Sequence, residues 1–229
     1  MHILQTKPRL LIFAFAISLF ALSGCLTSAK LDKYVAGQYN NELPKPSKKK
    51  RTDIDVTAAT PAAGSSISTS VRKTDKFLPL LVYWKFDQRQ SCSLNPAIAV
   101  TNFTNGINAA ATKSLTDKLQ GRKLELTVQQ VPSVFSIVTK ENTIWLLYTF
   151  SWSRVYIEPD VKDLVVAYRL LEADKEVKAG SVTVKNTEKN KNFRYFQSWK
   201  SATSEYLTEY NATVAAMAKS VVTQLTQEL

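Results

Sequence analysis

The feature that most limits what this chain can fold into is a set of stretches in which apolar and polar residues alternate. The clearest runs from Ile144 to Trp152, and another runs from Leu78 to Phe86. A period of two is typical of a β-strand that buries one face. Residues 123–131, 164–170 and 176–185 also have strand character. Together these stretches predict about five strands, and their lengths and turns favour antiparallel pairing.

Two other segments repeat apolar residues every three or four positions, which is the spacing of an amphipathic helix. One runs from Phe103 to Leu119, with Gly121 as the expected C-cap, and the other runs from Leu207 to Leu225, with Ser204 as the expected N-cap. The predicted fold is a single α+β domain over residues 77–229 with the element order β-α-β-β-β-β-α. Its two layers are a mainly antiparallel sheet of about five strands and two helices on one face of that sheet.

The sheet face that the helices leave open is expected to carry aromatic and basic side chains. Tyr83, Trp145, Arg154 and Tyr156 are its candidate binding residues, because Tyr, Trp and Arg are enriched in binding hot spots. Ordinary packing is the alternative for these aromatic side chains. The basic and aromatic stretch 189–200 is a second candidate for contact with an anionic partner, and a solvated loop is its alternative.

The N-terminus has the organisation of an export signal. Two basic residues precede an apolar run from Leu10 to Leu22, and this run is too short to span a bilayer as a stable helix, which needs roughly 20 residues. The run ends in Leu22-Ser23-Gly24-Cys25, which resembles the lipobox of bacterial lipoproteins. The resemblance implies that residues 1–24 are removed as a signal peptide and that Cys25 then carries the lipid, palmitate included. An ordinary secretory leader or an anchor helix is the alternative.

The residue after the lipidated cysteine bears on the final location. An Asp at this position retains enterobacterial lipoproteins in the inner membrane, whereas this chain has Leu26. The resemblance therefore favours a protein of the cell envelope that is anchored in the outer membrane, with display to the periplasm and display at the cell surface both left open.

The segment from residue 25 to residue 76 is rich in Ser, Thr, Ala, Pro, Asn and Lys. Little of it can form a core, so we expect a flexible tether with a span of roughly 40 Å. The basic run 48–51 is either a solvated part of this tether or a contact with anionic lipid head groups. Residues 31–43 have an alternative of their own, as a short segment that docks on the domain or on a partner.

The composition removes several classes of function. The only histidine, His2, lies in the leader, so the mature chain has no imidazole for a Ser-His-Asp site or a His-ligated metal. Once Cys25 is acylated, Cys92 is the only thiol, which excludes an intramolecular disulfide and leaves a small, partly buried residue as the simplest expectation. We predict no catalytic residue, metal or cofactor.

Two further observations concern charge. The net charge is +11, of which about +9 remains without the leader, and this excess favours anionic lipid or glycan, while export makes nucleic acid an improbable partner. The carboxylates of Glu158, Asp160 and Asp163 cluster at one turn. They could serve glycoside hydrolysis or bind calcium, but the EF-hand spacing is absent and a solvated turn is the simpler interpretation.

The order of these features resembles that of a known group of envelope proteins. A lipobox, a tether, strand-helix-strand, long hairpins and a last helix with the stretch 202–221 resemble the auxiliary lipoproteins of ABC-type envelope transporters. They are similar too to the lipoprotein that supports lipopolysaccharide insertion at the outer membrane. The resemblance implies a non-enzymatic binding or scaffold subunit with an envelope protein as partner. The alternative is a cell-surface protein that binds glycan or lipopolysaccharide through basic and aromatic residues.

Overall fold

The structure is a computed structural model, and it describes residues 26–46, 51–59 and 64–229. The leader, Cys25 and residues 48–50 of the basic run lie outside this part of the chain. The predicted α+β class with mainly antiparallel strands is confirmed, but the described residues form nine strands and four helices, which is more than the sequence predicts. In chain order the elements are α1 (Ser28–Gln38), β1 (Ile54–Ala58), β2 (Ser68–Pro79), β3 (Tyr83–Leu94), α2 (Pro96–Ala110), α3 (Lys113–Leu119), β4 (Lys123–Gln130), β5 (Val134–Trp145), β6 (Thr149–Pro159), β7 (Leu164–Glu172), β8 (Lys175–Val184), β9 (Lys191–Asn192) and α4 (Trp199–Glu228).

The strands form two sheets instead of the single sheet predicted. The small sheet has the order β1-β4-β7-β8, and the large sheet has the order β2-β3-β5-β6-β9. Every neighbouring pair is antiparallel except β1 with β4. The large sheet is therefore built mainly from two long hairpins, β2-β3 and β5-β6, that lie side by side.

The core lies where α2 and α4 pack together and against the sheets. A Cβ atom added at Gly106 of α2 would lie 2.7 Å from the Cβ atom of Ala218 in α4, so the two helices approach closely. The ring of Tyr206 in α4 packs 4.8 Å from the ring of Phe135 in β5. The hydroxyl of the buried Tyr210 donates to the carbonyl of Pro132 at 2.7 Å, which satisfies a polar group inside the core. The half of the large sheet around Phe135 is thus covered by helix.

The described parts of the N-terminal segment, 26–46, 51–59 and 64–76, are folded onto the domain, which corrects for them the prediction of a flexible tether over residues 25–76. Helix α1 buries Leu31 and Val35 completely. The carboxylate of Asp32 accepts a hydrogen bond of 2.7 Å from the hydroxyl of Ser70 in β2. A segment too polar to form its own core can still add two apolar residues, one helical turn apart, to an existing core. The alternative for residues 31–43 was docking on the domain, and the structure shows this docking through α1.

The two clearest alternating stretches each contain a hairpin turn, so the prediction of a continuous strand is wrong in both cases. Residues 144–152 include the end of β5, a turn and the start of β6, and residues 78–86 include the end of β2, a turn and the start of β3. The turns are Leu80–Val82 and Leu146–Tyr148, and they contain none of the Gly, Asn or Asp residues that usually mark hairpins. No turn signal interrupts residues 144–152, and in residues 78–86 the one such residue is Pro79, at the end of β2.

The predicted helix 103–119 is two helices, because the chain is extended at Ala111, where ψ is 104°. The apolar spacing continues through the break and does not reveal it. Arg51 stabilises the break by donating to the carbonyl of Ala111 at 3.2 Å and to the hydroxyl of Thr116 at 2.6 Å. Arg51, the last residue of the basic run, is therefore a structural contact of the domain and not part of a solvated tether.

Candidate binding surface

The turns of the two long hairpins lie next to each other at one end of the large sheet. Strands β3 and β5 are paired in a register that sets Tyr83 opposite Ile144. The backbone N–H of Trp145 donates to the carbonyl of Val82 at 2.8 Å, which ties one turn to the other. We call residues 77–84 and 142–153 together the hairpin end.

The hairpin end exposes an unusual amount of apolar surface. Leu81 and Leu147, at the centres of the two turns, are 97% and 96% exposed. Each half-exposed tryptophan leaves on the order of 100 Å² open, so the patch exceeds the few hundred Å² that soluble monomers usually expose. The other exposed apolar residues of the hairpin end are Phe77, Leu80, Val82, Trp84, Trp145, Leu146, Tyr148, Phe150 and Trp152.

Charged residues lie only at the border of this surface, where Glu141 is opposite Ser153 and Lys85 is opposite Leu78. Both segments of the hairpin end, 77–84 and 142–153, lack Asp, Glu, Lys and Arg. The polar side chains among them pair with one another, because Tyr83 donates its hydroxyl to Asn142 at 2.7 Å and the hydroxyls of Thr143 and Ser151 are 2.7 Å apart. A partner that covers the hairpin end therefore meets few polar groups that need new hydrogen bonds.

Both faces of the sheet are apolar at this end. The rings of Trp84 and Trp145 have centroids 6.0 Å apart on one face. Tyr83, Phe150 and Trp152 lie on the other face, because side chains alternate along a strand and Tyr83 is in register with Ile144, the neighbour of Trp145. Phe135, which α4 covers, lies on the same face of β5 as Trp145. On this face the part of the sheet covered by helix is therefore followed directly by the exposed tryptophans.

A row of mostly basic residues crosses the sheet just above the hairpin end. Register places Lys76, Asp87, Lys140 and Arg154 side by side on the four strands. Asp87 forms an ion pair with Lys85 at 3.7 Å. Lys140 and Arg154 are exposed and directly opposite each other, an arrangement that costs stability unless an anion or another group offsets the repulsion.

The ring of Tyr156 lies beneath these two cations. The Lys140 ammonium is 5.6 Å from the centroid of the Tyr156 ring, and the Arg154 guanidinium is 5.7 Å from it. Arg154 also donates to the side-chain oxygen of Asn192 at 3.1 Å. The aromatic face holds the two side chains close together and leaves both exposed to solvent.

The structure brings the predicted binding residues to one region but not to one face. Trp145 is exposed beside Trp84, whereas Tyr83, Arg154 and Tyr156 lie on the opposite face. Tyr156 is only 7% exposed and supports the cations above it. Sequence reasoning placed the leucines of the turns inside strands, so it did not identify the two turns as the exposed end of the sheet. The absence of charge over residues 142–153 was the signal that could have identified this surface.

The other candidate groups have structural surroundings. Glu158 pairs with Arg89, Asp160 accepts the backbone N–H of Ser133 at 3.2 Å, and Asp163 accepts that of Asn186 at 2.9 Å. Asp160 and Asp163 thus lie in the turn between β6 and β7, as interpreted, whereas Glu158 lies in β6 as part of an ion pair and not in a solvated turn. Among residues 26–46, 51–59 and 64–229, no group of three His, Cys, Asp or Glu side chains is arranged to hold a metal ion.

The thiol of Cys92 is fully buried, more so than the sequence suggests. Burial raises the pKa of this thiol to about 11, and nearby serine hydroxyls oppose the shift. A thiol in this environment stays protonated at neutral pH and is a poor nucleophile.

The stretch 189–200 forms β9, a loop and the start of α4. Tyr195 and Phe196 of its loop are almost fully exposed, while Lys191 pairs with Glu209 at 2.5 Å and Arg194 pairs with Glu205 at 2.8 Å. Two of its basic residues are thus engaged within the domain.

Compared with known proteins, the chain matches no family model, no curated protein and no solved structure. Of the helices in the described part of the chain, none has the length and apolar character needed to cross a membrane. The lipobox and Cys25 lie outside the described residues, so the lipid anchor stays a prediction from the sequence.

Proposed function

We propose that this chain is a lipid-anchored lipoprotein of the bacterial cell envelope, that it acts as a non-enzymatic binding or scaffold subunit, and that the hairpin end is its contact surface. In this proposal the protein is an auxiliary subunit of an envelope transport or assembly complex. Its anchor lies in the outer membrane in preference to the inner membrane. The lipobox motif and the lack of histidine beyond His2 support the anchor and the absence of catalysis. The hairpin end supports the binding role.

The observation that carries the proposal is the exposure of Leu81 and Leu147 on a surface held rigid by strand pairing. Burying one leucine side chain is worth roughly 1.5–3 kcal/mol, so a chain that leaves two of them in water retains a large potential binding energy. Apolar patches of this extent mark contacts with protein or membrane.

A second candidate is binding of an acidic glycan or lipopolysaccharide. It is favoured by one specific observation, the juxtaposition of Lys140 and Arg154 above Tyr156. Two adjacent cations beside exposed aromatic rings could hold a phosphate or carboxylate while a sugar stacks on the tryptophans.

Two experiments test the main proposal in a Gram-negative host. Incorporation of a palmitate analogue into the full-length protein is expected, and Cys25→Ser is expected to abolish it. A photocrosslinking amino acid at Leu81 or Leu147 is expected to give adducts of protein or phospholipid. The same probe at Lys118 or Asp174, which are exposed elsewhere on the domain, is the matched control. Equal adducts from all four positions, or none from the leucines, would contradict the binding role.

A further inference from the structure

We infer that the hairpin end inserts into the interfacial region of the same bilayer leaflet that holds the Cys25 lipid, with Lys140 and Arg154 binding a lipid phosphate. This inference rests on the proposed lipid anchor and deepens the proposed binding role, because it names the occupant of the hairpin end. The arguments are the position of the N-terminus, the gradient of side-chain types and the complementary charge.

The first described residue, Leu26, lies near the level of the basic row, as this orientation requires. Leu26 packs against the core and lines a crevice of about 190 Å³ with Gln88 and Thr139 of the large sheet. These two residues directly adjoin the basic row, in which Asp87 and Lys140 pair. The lining continues to Gln90 and Ile137, so the crevice lies one to three residues from the basic row on the side away from the hairpin end. The described chain therefore starts near the level of that row.

Along the hairpins the side chains change from charged to aromatic to aliphatic. A bilayer leaflet changes in the same order along its normal, from phosphate to interface to hydrocarbon. The basic row comes first, and the charged residues Glu141 and Lys85 lie one and two residues below it. Trp152 lies two residues below Arg154, Trp84 and Trp145 lie lower, and Leu81 and Leu147 form the apex. Tryptophan prefers the membrane interface, cations prefer the phosphate level, and leucine prefers the hydrocarbon.

The dimensions fit shallow insertion. From Arg154 to the start of the turn at Thr149 is five residues of β6, or about 17 Å at 3.4 Å per residue. If the strands are tilted by roughly 45°, the apex lies about 12 Å below the cations, which takes it through the head-group layer and a few Å into the hydrocarbon. Amphipathic segments commonly reach about 5–10 Å into this boundary.

The backbone of the turns can tolerate this depth. Inside hydrocarbon an unpaired N–H or C=O is costly. Leu80 donates its N–H to the carbonyl of Tyr83, Leu146 donates to Tyr148, and Trp145 donates to Val82, with lengths of 2.9, 3.0 and 2.8 Å. These bonds pair part of the backbone of the turns, which lowers the cost of shallow insertion.

The charge of the basic row complements a phospholipid surface. Lys140 and Arg154 repel each other across the strands, and the carboxylate of Asp87, opposite Lys140, offsets part of this cost. A phosphate between the two cations would remove the remainder and accept hydrogen bonds from both. Leu26 contacts one face of the sheet and these cations lie on the other, so the lipid anchor and the phosphate would hold the sheet from both sides.

The test uses the lipidated full chain in vesicles of phosphatidylethanolamine and phosphatidylglycerol whose acyl chains are brominated. Bromine quenches tryptophan only at short range, and three of the four tryptophans lie in the hairpin end. Most of the emission of the unmodified protein is expected to be quenched. In variants that keep one tryptophan, with Phe at the other three positions, Trp84, Trp145 and Trp152 are expected to be quenched and Trp199 to remain bright. Trp199 is the internal control, because its ring packs 5.3 Å from Tyr34 outside the hairpin end.

Two pairs of variants test the parts of the surface. Leu81→Ser with Leu147→Ser is expected to lower the ratio of docked to undocked protein roughly tenfold for each leucine. Lys140→Ala with Arg154→Ala is expected to lower it roughly fivefold for each cation, and only when phosphatidylglycerol is present. Lys118→Ala with Lys175→Ala removes two exposed cations elsewhere and is expected to have no effect.

Several outcomes would overturn the inference. Bright tryptophans throughout, or equal quenching of Trp84 and Trp199, would exclude insertion of the hairpin end. A blue shift without quenching, together with crosslinked dimers, would show that a second copy of the chain covers it. A protein adduct from Leu81 without quenching would overturn this inference while leaving the proposed binding role intact. Failure of both crosslinking and quenching would overturn the two together, and palmitate labelling reports separately on the anchor.

Discussion

The backbone N–H of Trp145 donates a hydrogen bond of 2.8 Å to the carbonyl oxygen of Val82, so the last residue of β5 is joined to the turn between β2 and β3. The two residues are 63 positions apart in sequence by their numbers. Two separate turns would each offer a small and independently moving contact. This bond and the pairing of β3 with β5 make them one rigid surface, which reduces the entropy lost when a partner covers it.

The leucines at the apex contribute to contact and not to folding. Leu81→Ser and Leu147→Ser are expected to change the free energy of unfolding by less than about 0.5 kcal/mol each, since both side chains are exposed. Leu126→Ala, at a buried position of β4, is the contrasting variant and is expected to cost about 2–5 kcal/mol. Urea unfolding followed by circular dichroism measures both. A loss above 2 kcal/mol for either apex variant would mean that its leucine packs in the domain.

Helix α1 is expected to be part of the folded core. Leu31→Ala should destabilise the protein by about 2–5 kcal/mol, because the side chain is fully buried and its removal leaves a cavity. Lys33→Ala, an exposed position of the same helix, is the control and should have little effect. If Leu31→Ala unfolds at the same urea concentration as the unmodified protein, the segment is a tether after all.

The contact between α2 and α4 should reject even one methyl group. Gly106→Ala places a Cβ atom 2.7 Å from that of Ala218, and the helices must separate to accept it. We expect a loss of about 1–3 kcal/mol. Gly37→Ala is the matched substitution in α1, where a Cβ meets no atom within 4 Å, and it should gain about 0.5–1 kcal/mol from helix propensity. Thermal unfolding that shifts both variants in the same direction would contradict this packing.

The buried thiol of Cys92 should make the protein less stable at alkaline pH. Burial raises its pKa from 9.0 to about 11, so between these values the unfolded chain has lost the proton that the folded chain keeps. The stability is therefore complete below pH 9 and falls as the pH rises towards 11, by about 2–3 kcal/mol for a shift of this size.

Cys92→Ala should make the decline between pH 9 and pH 11 shallower, whatever its effect at neutral pH. Urea unfolding at several pH values measures the difference. Burial also raises the pKa values of Tyr39, Tyr206 and Tyr210. These tyrosines are present in both proteins and contribute a decline to each, so the test is the difference in slope between the two. An unchanged slope in Cys92→Ala would show that the thiol does not titrate differently in the folded state.

Much of the second half of the fold could be predicted from local pattern. The helix expected over 207–225 is the central part of α4, and the strands expected at 123–131, 164–170 and 176–185 correspond to β4, β7 and β8. In these elements one apolar face meets the core along the whole length, so burial and pattern agree. The alternation at 144–152 failed because exposed residues of a contact surface are as apolar as buried ones. The hydrophobicity of a residue alone therefore does not distinguish an exposed contact residue from a buried core residue.

The sequence by itself determined the charge and the absence of histidine beyond His2, and it predicted the α+β class and a lipobox at Cys25, because these depend on composition and on residues close together in the chain. Only the tertiary structure decided that Leu31 and Val35 join the core and that Trp84 lies beside Trp145. It also decided that Lys140 and Arg154 share the ring of Tyr156. The reason is that strand register and helix docking bring together residues far apart in sequence, and no local period records which distant strand will be the neighbour.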